Sequence, residues 1–171
     1  EVIVTGAVEF QKHLAAGGFD LRLSVNLSRR VLYSDRLIDS FHTLLEKTGA
    51  DPRRICLEIT ETLAMLDIKN ASERLHELKK LGVKIAIDDF GTGYSTLGQL
   101  YEIPVDELKI DKLFVRRIHT HEGQRIAEAI VSMARALHLE IVAEGVEDLE
   151  TVNLLRNMGV RYLQGYLFSS P

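Results

Sequence analysis

Six short apolar runs punctuate the chain, at Leu21–Asn26, Ile55–Thr60, Lys84–Asp89, Glu107–Asp111, Glu140–Gly145 and Tyr162–Tyr166. Runs this short, rich in Ile, Leu and Val, predict buried strands rather than helices. Between most of them apolar residues recur at helical spacing. Leu37, Ile38, Phe41, Leu44 and Leu45 stripe a helix over Asp35–Lys47, with Asp35 as its N-cap and Gly49 as its stop. Leu75, Leu78 and Leu81 mark a helix over Ala71–Leu81, entered through a capping-box pattern at Asn70 and Glu73. A short helix near Thr96–Tyr101 exposes Leu97, Leu100 and Tyr101. Ile126, Ile130, Met133, Ala134 and Leu137 mark a longer one over Glu122–Leu137. Asp148 and Gly159 bracket a last helix over Leu149–Asn157. Ahead of the first strand, Val4, Val8, Gln11 and Leu14 continue a helix that Gly17–Gly18 ends.

Alternating strands and helices imply an α/β fold, with a parallel sheet joined by right-handed crossovers. In a parallel (β/α)8 barrel of the TIM type, all strands end at one face, and chemistry sits there. Polar residues stand at or near the end of every run: Asn26, Glu58, Asp88 with Asp89, Lys109 with Asp111, Glu144 and Gln164. They are predicted to converge on one pocket. Six strands are countable, and a closed barrel of this type needs eight. Either the sheet is open or two strands precede Glu1. The chain also enters a helical pattern directly, without an initiator methionine, and we read it as a fragment.

Composition narrows the function classes. With 171 residues, 46% of them hydrophobic, the chain suits one domain with a substantial core. A net charge of −4 argues against a polymeric nucleic acid as partner, which asks for a basic surface. A small anionic ligand stays open, because a bound cation inverts local charge. The one cysteine, Cys56, falls inside an apolar run, so a buried, inert thiol is expected. No run approaches the roughly 20 apolar residues of a membrane helix, and no signal peptide is visible. A cytoplasmic location, alone or as part of a larger protein, is the expectation.

The residues at the run ends are oxygen donors plus one lysine, a set suited to a hard divalent cation and a phosphate-bearing substrate. Adjacent Asp88 and Asp89 point to opposite sides of a strand unless the strand is already turning. Glu58 lies between Leu57 and Ile59, where an unpaired carboxylate is costly to bury. Metal ligation offsets that cost, and so does an ion pair with Lys109. Lys109 itself is either a charge partner to these acids or a catalytic amine with a lowered pKa. Glu61, just past the strand, is either a supporting group or a plain loop residue. The six histidines lie on helices or in a loop, away from the set, which argues against a histidine zinc site. Gly91 and Gly93 make a weak phosphate-loop signal and a better flexible loop, Phe90–Ser95, over the pocket mouth.

The segments SVNLS (24–28), LEITE (57–61), DDFGTGYS (88–95), LKID (108–111), AEGVE (143–147) and QGYLFSSP (164–171), taken together, resemble the EAL-domain family of cyclic di-GMP phosphodiesterases. The resemblance runs from about residue 20 to the end. It implies a single domain, the C-terminal three-quarters of a TIM-like (β/α)8 barrel whose first two strands are missing. It implies hydrolysis of cyclic di-GMP to linear pGpG with Mg²⁺ or Mn²⁺ at a two-metal site. By motif position, Asn26, Glu58, Asp88, Asp89 and Glu144 would hold metal, with Glu144 also acting in the chemistry. Lys109 would orient the attacking water, Asp111 would support it, and Gln164 would fix water or substrate. Glu147 would anchor the loop of Gly91 and Gly93, which in the family couples ligand binding to dimerisation. A homodimer and upstream sensory or GGDEF-type domains are further expectations. The family's name-giving Glu-Ala-Leu segment, whose glutamate is a metal ligand and which is followed by a substrate-binding arginine, is absent, which leaves activity of the truncated chain by itself open. Val31 stands where a glutamine is frequent. A degenerate domain serving as a cyclic di-GMP receptor or interaction module is the second reading. A barrel lyase with Mg²⁺ and a lysine base is a third, which the paired aspartates and Asn26 fit less well.

Overall fold

The computed structural model describes residues 2–93 and 96–169. Tyr94 and Ser95 of the loop, and Ser170 and Pro171 of the last matching segment, lie outside them. Among the described residues, six strands form one sheet in sequence order: β1 (Leu23–Asn26), β2 (Ile55–Thr60), β3 (Lys84–Phe90), β4 (Glu107–Ile110), β5 (Glu140–Ala143) and β6 (Tyr162–Leu163). Every neighbouring pair is parallel. The result is a curled part-barrel with β1 and β6 at its edges.

Helices make each crossover. α1 (Val2–Ala16) precedes β1, and α2 (Arg29–Leu32) and α3 (Leu37–Thr48) follow it. α4 (Glu61–Leu66) and α5 (Ile68–Lys80) join β2 to β3, and α6 (Leu97–Glu102) joins β3 to β4. α7 (Lys112–Arg116) and α8 (His121–Ala136) lead to β5, and α9 (Leu149–Asn157) leads to β6. No described helix is long and apolar enough to cross a membrane.

Strand alternation sorts the side chains. Leu57, Ile59, Ile85, Ile87, Leu108 and Ile110 are fully buried in the core under the helices, with Leu75, Leu78, Leu32 and Phe41. Each such side chain contributes about 1.5–3 kcal/mol by leaving water. The intervening residues of β2 to β5 face the barrel interior. That row is Cys56, Glu58, Thr60, Lys84, Ala86, Asp88, Glu107, Lys109, Glu140 and Val142, so charged side chains outnumber apolar ones in the interior.

Three local expectations need correction. Asp35 does not cap α3; the cap position is Arg36, and Asp35 instead pairs with Arg74 at 3.1 Å. The helix expected from Ala71 starts at Ile68, because Asp67 caps it by accepting from the Asn70 backbone N–H at 3.2 Å. Asn70 is therefore inside the helix and accepts from Arg74 Nε. Leu100, expected to be exposed, is buried, whereas Leu97 and Tyr101 of α6 are exposed. At the expected helix stop, Gly49 adopts φ 66° and closes α3 with a bond to Leu45 O, a conformation that glycine takes without steric cost.

Candidate functional site

At the C-terminal end of the strands the interior closes around one amine. Lys109 Nζ lies 2.6 Å from Glu144 Oε1, 2.9 Å from Glu58 Oε1 and 3.2 Å from Asp88 Oδ1. These residues come from β4, β2, β3 and the residue following β5. Lys109 and Glu58 are nearly inaccessible to solvent. Burial pulls the Lys109 amine down, but its bonds to Glu144 and Glu58 outweigh that, and the net shift is upward. Lys109 is thus a protonated charge partner to the acids, not an amine with a lowered pKa. Glu144 is pushed above the usual carboxylate range. Burial is the main cause, Asp88 and Glu58 add to it, and the Lys109 ammonium only partly opposes it.

Asp88 and Asp89 do reach the same space, and the backbone shows how. The β3–β4 register slips between Ile87 and Phe90, and Asp89 sits at φ 55°. A left-handed residue at a bulge breaks strict alternation, so consecutive side chains can aim together. One carboxylate oxygen from each of Asp88, Asp89 and Glu144 lies within 4.8 Å of the others. Burial, then Asp88, then the Asp111 carboxyl beside it raise the Asp89 pKa. Three mutually repelling carboxylates held this close form an all-oxygen donor set that suits a hard divalent cation.

The remaining expected residues take the following places. Asn26 is the register partner of Glu58 at the end of β1. Gln164 follows β6, with its backbone bonded to Ala143 and Val146. Asp111 caps α7 by accepting from Leu113 N at 2.7 Å, and among the described ion pairs it makes none with Lys109. Glu147 pairs with Arg116 at 2.9 Å. Among the described residues Glu61 holds the loop: its Oε2 accepts from Gly91 N at 2.8 Å and Gly93 N at 3.1 Å. Glu61 opens α4 and is buried, under a Thr60 N-cap. Its place three residues after Glu58, directly past the end of the strand, was the available signal. Gly91 is at φ +96°, and an added Cβ would sit 2.6 Å from Phe114. Glu61→Gln removes the charge from both bonds. Amide exchange at 91–93 should then accelerate by about tenfold or more, because charge-assisted bonds are the stronger kind. Unchanged exchange would show that Gly91 packing alone fixes the loop.

A family model described as "EAL domain" matches residues 2–171, extending the resemblance through α1. A signaling protein of Caulobacter vibrioides is 44% identical over 88% of this chain and 19% of its own length. The cyclic di-GMP phosphodiesterase NbdA of Pseudomonas aeruginosa is 42% identical over 93% of this chain and 20% of its own length. The chain therefore spans about a fifth of these relatives. Among solved structures, the PaMucR phosphodiesterase in complex with c-di-GMP superposes with a TM-score of 0.93 at 38% identity, covering 98% of this chain and 68% of that one.

Proposed function

Because the chain belongs to the EAL-domain family, we propose that it is the catalytic portion of a phosphodiesterase that hydrolyses cyclic di-GMP to linear pGpG. The observation that carries this reading is Lys109 held among Glu58, Asp88 and Glu144, with Asp89 beside them, at the strand ends. Mg²⁺ or Mn²⁺ held by Asn26, Glu58, Asp88, Asp89 and Glu144 would supply Lewis acidity at the phosphodiester. The chain's own residues do the rest. The Lys109 ammonium donates to the attacking water and sets its approach to phosphorus. Glu144 accepts a proton from that water as the new P–O bond forms; the P–O bond to the ribose 3′ oxygen breaks, and that oxygen takes a proton from bulk water to become the free 3′ hydroxyl. Gln164 fixes the water or the substrate, and Asp111 caps α7 beside Asp89. Glu61 holds the Gly91–Gly93 loop over the mouth. A homodimer contact at α6, through exposed Leu97 and Tyr101, and upstream sensory or GGDEF-type domains complete the proposal.

The test is incubation of the purified protein with cyclic di-GMP and Mg²⁺ or Mn²⁺, with products separated by chromatography. Linear pGpG should appear, and a chelator should stop it. Tight binding without any turnover, at full metal occupancy, would overturn the enzymatic reading in favour of a receptor.

A further inference from the structure

Below the site, at the N-terminal end of the strands, the interior holds a second charged cluster that the proposed chemistry does not use. Arg22, just before β1, reaches across the curl of the sheet to the far strands. Its guanidinium donates to Glu107 Oε2 of β4 and lies 2.8 Å from Glu140 Oε2 of β5. It also lies 5.8 Å from the ring centroid of Tyr162 on β6, within cation–π range. Lys84 Nζ takes the second Glu140 oxygen at 3.1 Å. Glu107 is 2% exposed, which makes its pairing obligatory rather than incidental.

The strand register shows what this cluster competes with. Asn26, Glu58, Ala86, Glu107 and Glu140 are successive partners across β1 to β5. Three carboxylates therefore share one register line, and only the small Ala86 side chain separates Glu58 from Glu107. Lys109 stands two residues beyond Glu107 on β4, so both side chains leave the strand on the same face. Lys109 already reaches Glu58 on that line, at 2.9 Å. Among the described ion pairs, Glu107 nevertheless goes to Arg22, and Lys109 goes to Glu58, Asp88 and Glu144.

We infer that Arg22 is a positioning residue for Lys109: by holding Glu107 toward the floor, it keeps that carboxylate from claiming the site ammonium. Charge accounting agrees. Arg22 and Lys84 match Glu107 and Glu140, so the floor is neutral in itself. All surplus negative charge then collects at the mouth. Without Arg22, Glu107 would be a buried carboxylate whose nearest cation is the lysine two residues along the same strand. Lys109 would divide its bonds, and its place among the upper acids would shift. The effect on turnover rests on the phosphodiesterase reading; the effect on Lys109 itself does not.

Three variants of the protein separate these points: Arg22→Met, Glu107→Gln and the two combined. The first readout is the Lys109 ammonium signal in ¹H–¹⁵N spectra of lysine-labelled protein, assigned with Lys109→Arg. It should move in Arg22→Met and return in the double variant, which leaves no carboxylate to divert the amine. The second readout is steady-state hydrolysis. In Arg22→Met, kcat should fall by about tenfold or more while KM stays within about twofold, and Glu107→Gln should restore kcat in the double variant. An unmoved Lys109 signal in Arg22→Met overturns the inference. So does a double variant that stays as impaired as Arg22→Met. If Arg22→Met does not fold, the double variant decides, since it buries no unpaired charge. A wild-type Lys109 signal there supports the inference, and a displaced one overturns it. If the wild-type protein hydrolyses no cyclic di-GMP, the proposed function fails, and the ammonium signal alone decides the role of Arg22.

Discussion

On the phosphodiesterase reading, Lys109→Met is expected to lower kcat for cyclic di-GMP hydrolysis by about a thousandfold and to lower the melting temperature of the metal-free protein. Both effects have one origin. The ammonium is the cation that Glu58, Asp88 and Glu144 share, and it is 4% exposed. Removing one partner of a buried ion pair leaves uncompensated charge and costs about 3–5 kcal/mol. A preorganised hydrogen-bond donor at the reacting centre contributes about 10²–10³ in rate, which sets the scale of the kinetic loss. Adding Mg²⁺ or Mn²⁺ should recover part of the lost melting temperature, because a divalent ion replaces the missing positive charge. It should not recover kcat. Thermal denaturation with and without metal, beside the rate, checks both halves. A metal-free variant as stable as wild type would show that the three acids need no cation. A rise in KM at constant kcat would make Lys109 a binding group only.

Glu58→Gln has a different signature. The amide is nearly isosteric and still offers Lys109 an acceptor at 2.9 Å, so melting should change little. The lost charge matters for metal. Turnover with Mg²⁺ or Mn²⁺ should fall by about two orders of magnitude or more, since ligand charge and geometry set reactivity at such sites. Calorimetric metal titration should weaken in parallel. Full activity in a folded Glu58→Gln protein would remove Glu58 from the ion-binding set and leave it as the charge partner of Lys109.

The strands were legible because their outward residues form unbroken apolar rows, such as Ile55, Leu57 and Ile59, and because glycines mark the turns that follow the helices. The convergence of Glu58, Asp88, Lys109 and Glu144 was legible too, since parallel strands end on one face. Other features depended on three-dimensional neighbours. α4 and α7 are each a turn or two long, below the length at which periodicity speaks. The two competing roles for Glu58 and Lys109 could be weighed only with distances, and the raised Lys109 pKa depends on two carboxylates distant in sequence, Glu144 after β5 and Glu58 of β2. Glu61 looked like an ordinary polar residue after a strand; its two loop bonds join residues 30 and 32 positions away. Arg22 drew no attention because an arginine ahead of a strand is commonplace. Its partners lie 85 and 118 residues on.

The left-handed backbone of Asp89 has a consequence for how this site can change. An aspartate at φ 55° carries about 1–3 kcal/mol of backbone cost that glycine would not, and its carboxylate sits against those of Asp88 and Asp111. Asparagine tolerates the same conformation and carries no charge, so exchange to asparagine or glycine would relax both burdens. Drift toward greater stability therefore runs, at this one position, directly against keeping the acidic donor. A chain freed from selection for activity would be expected to lose Asp89 early. Loss of the carboxylate at residue 89 is accordingly the change this backbone favours once the acid is no longer needed.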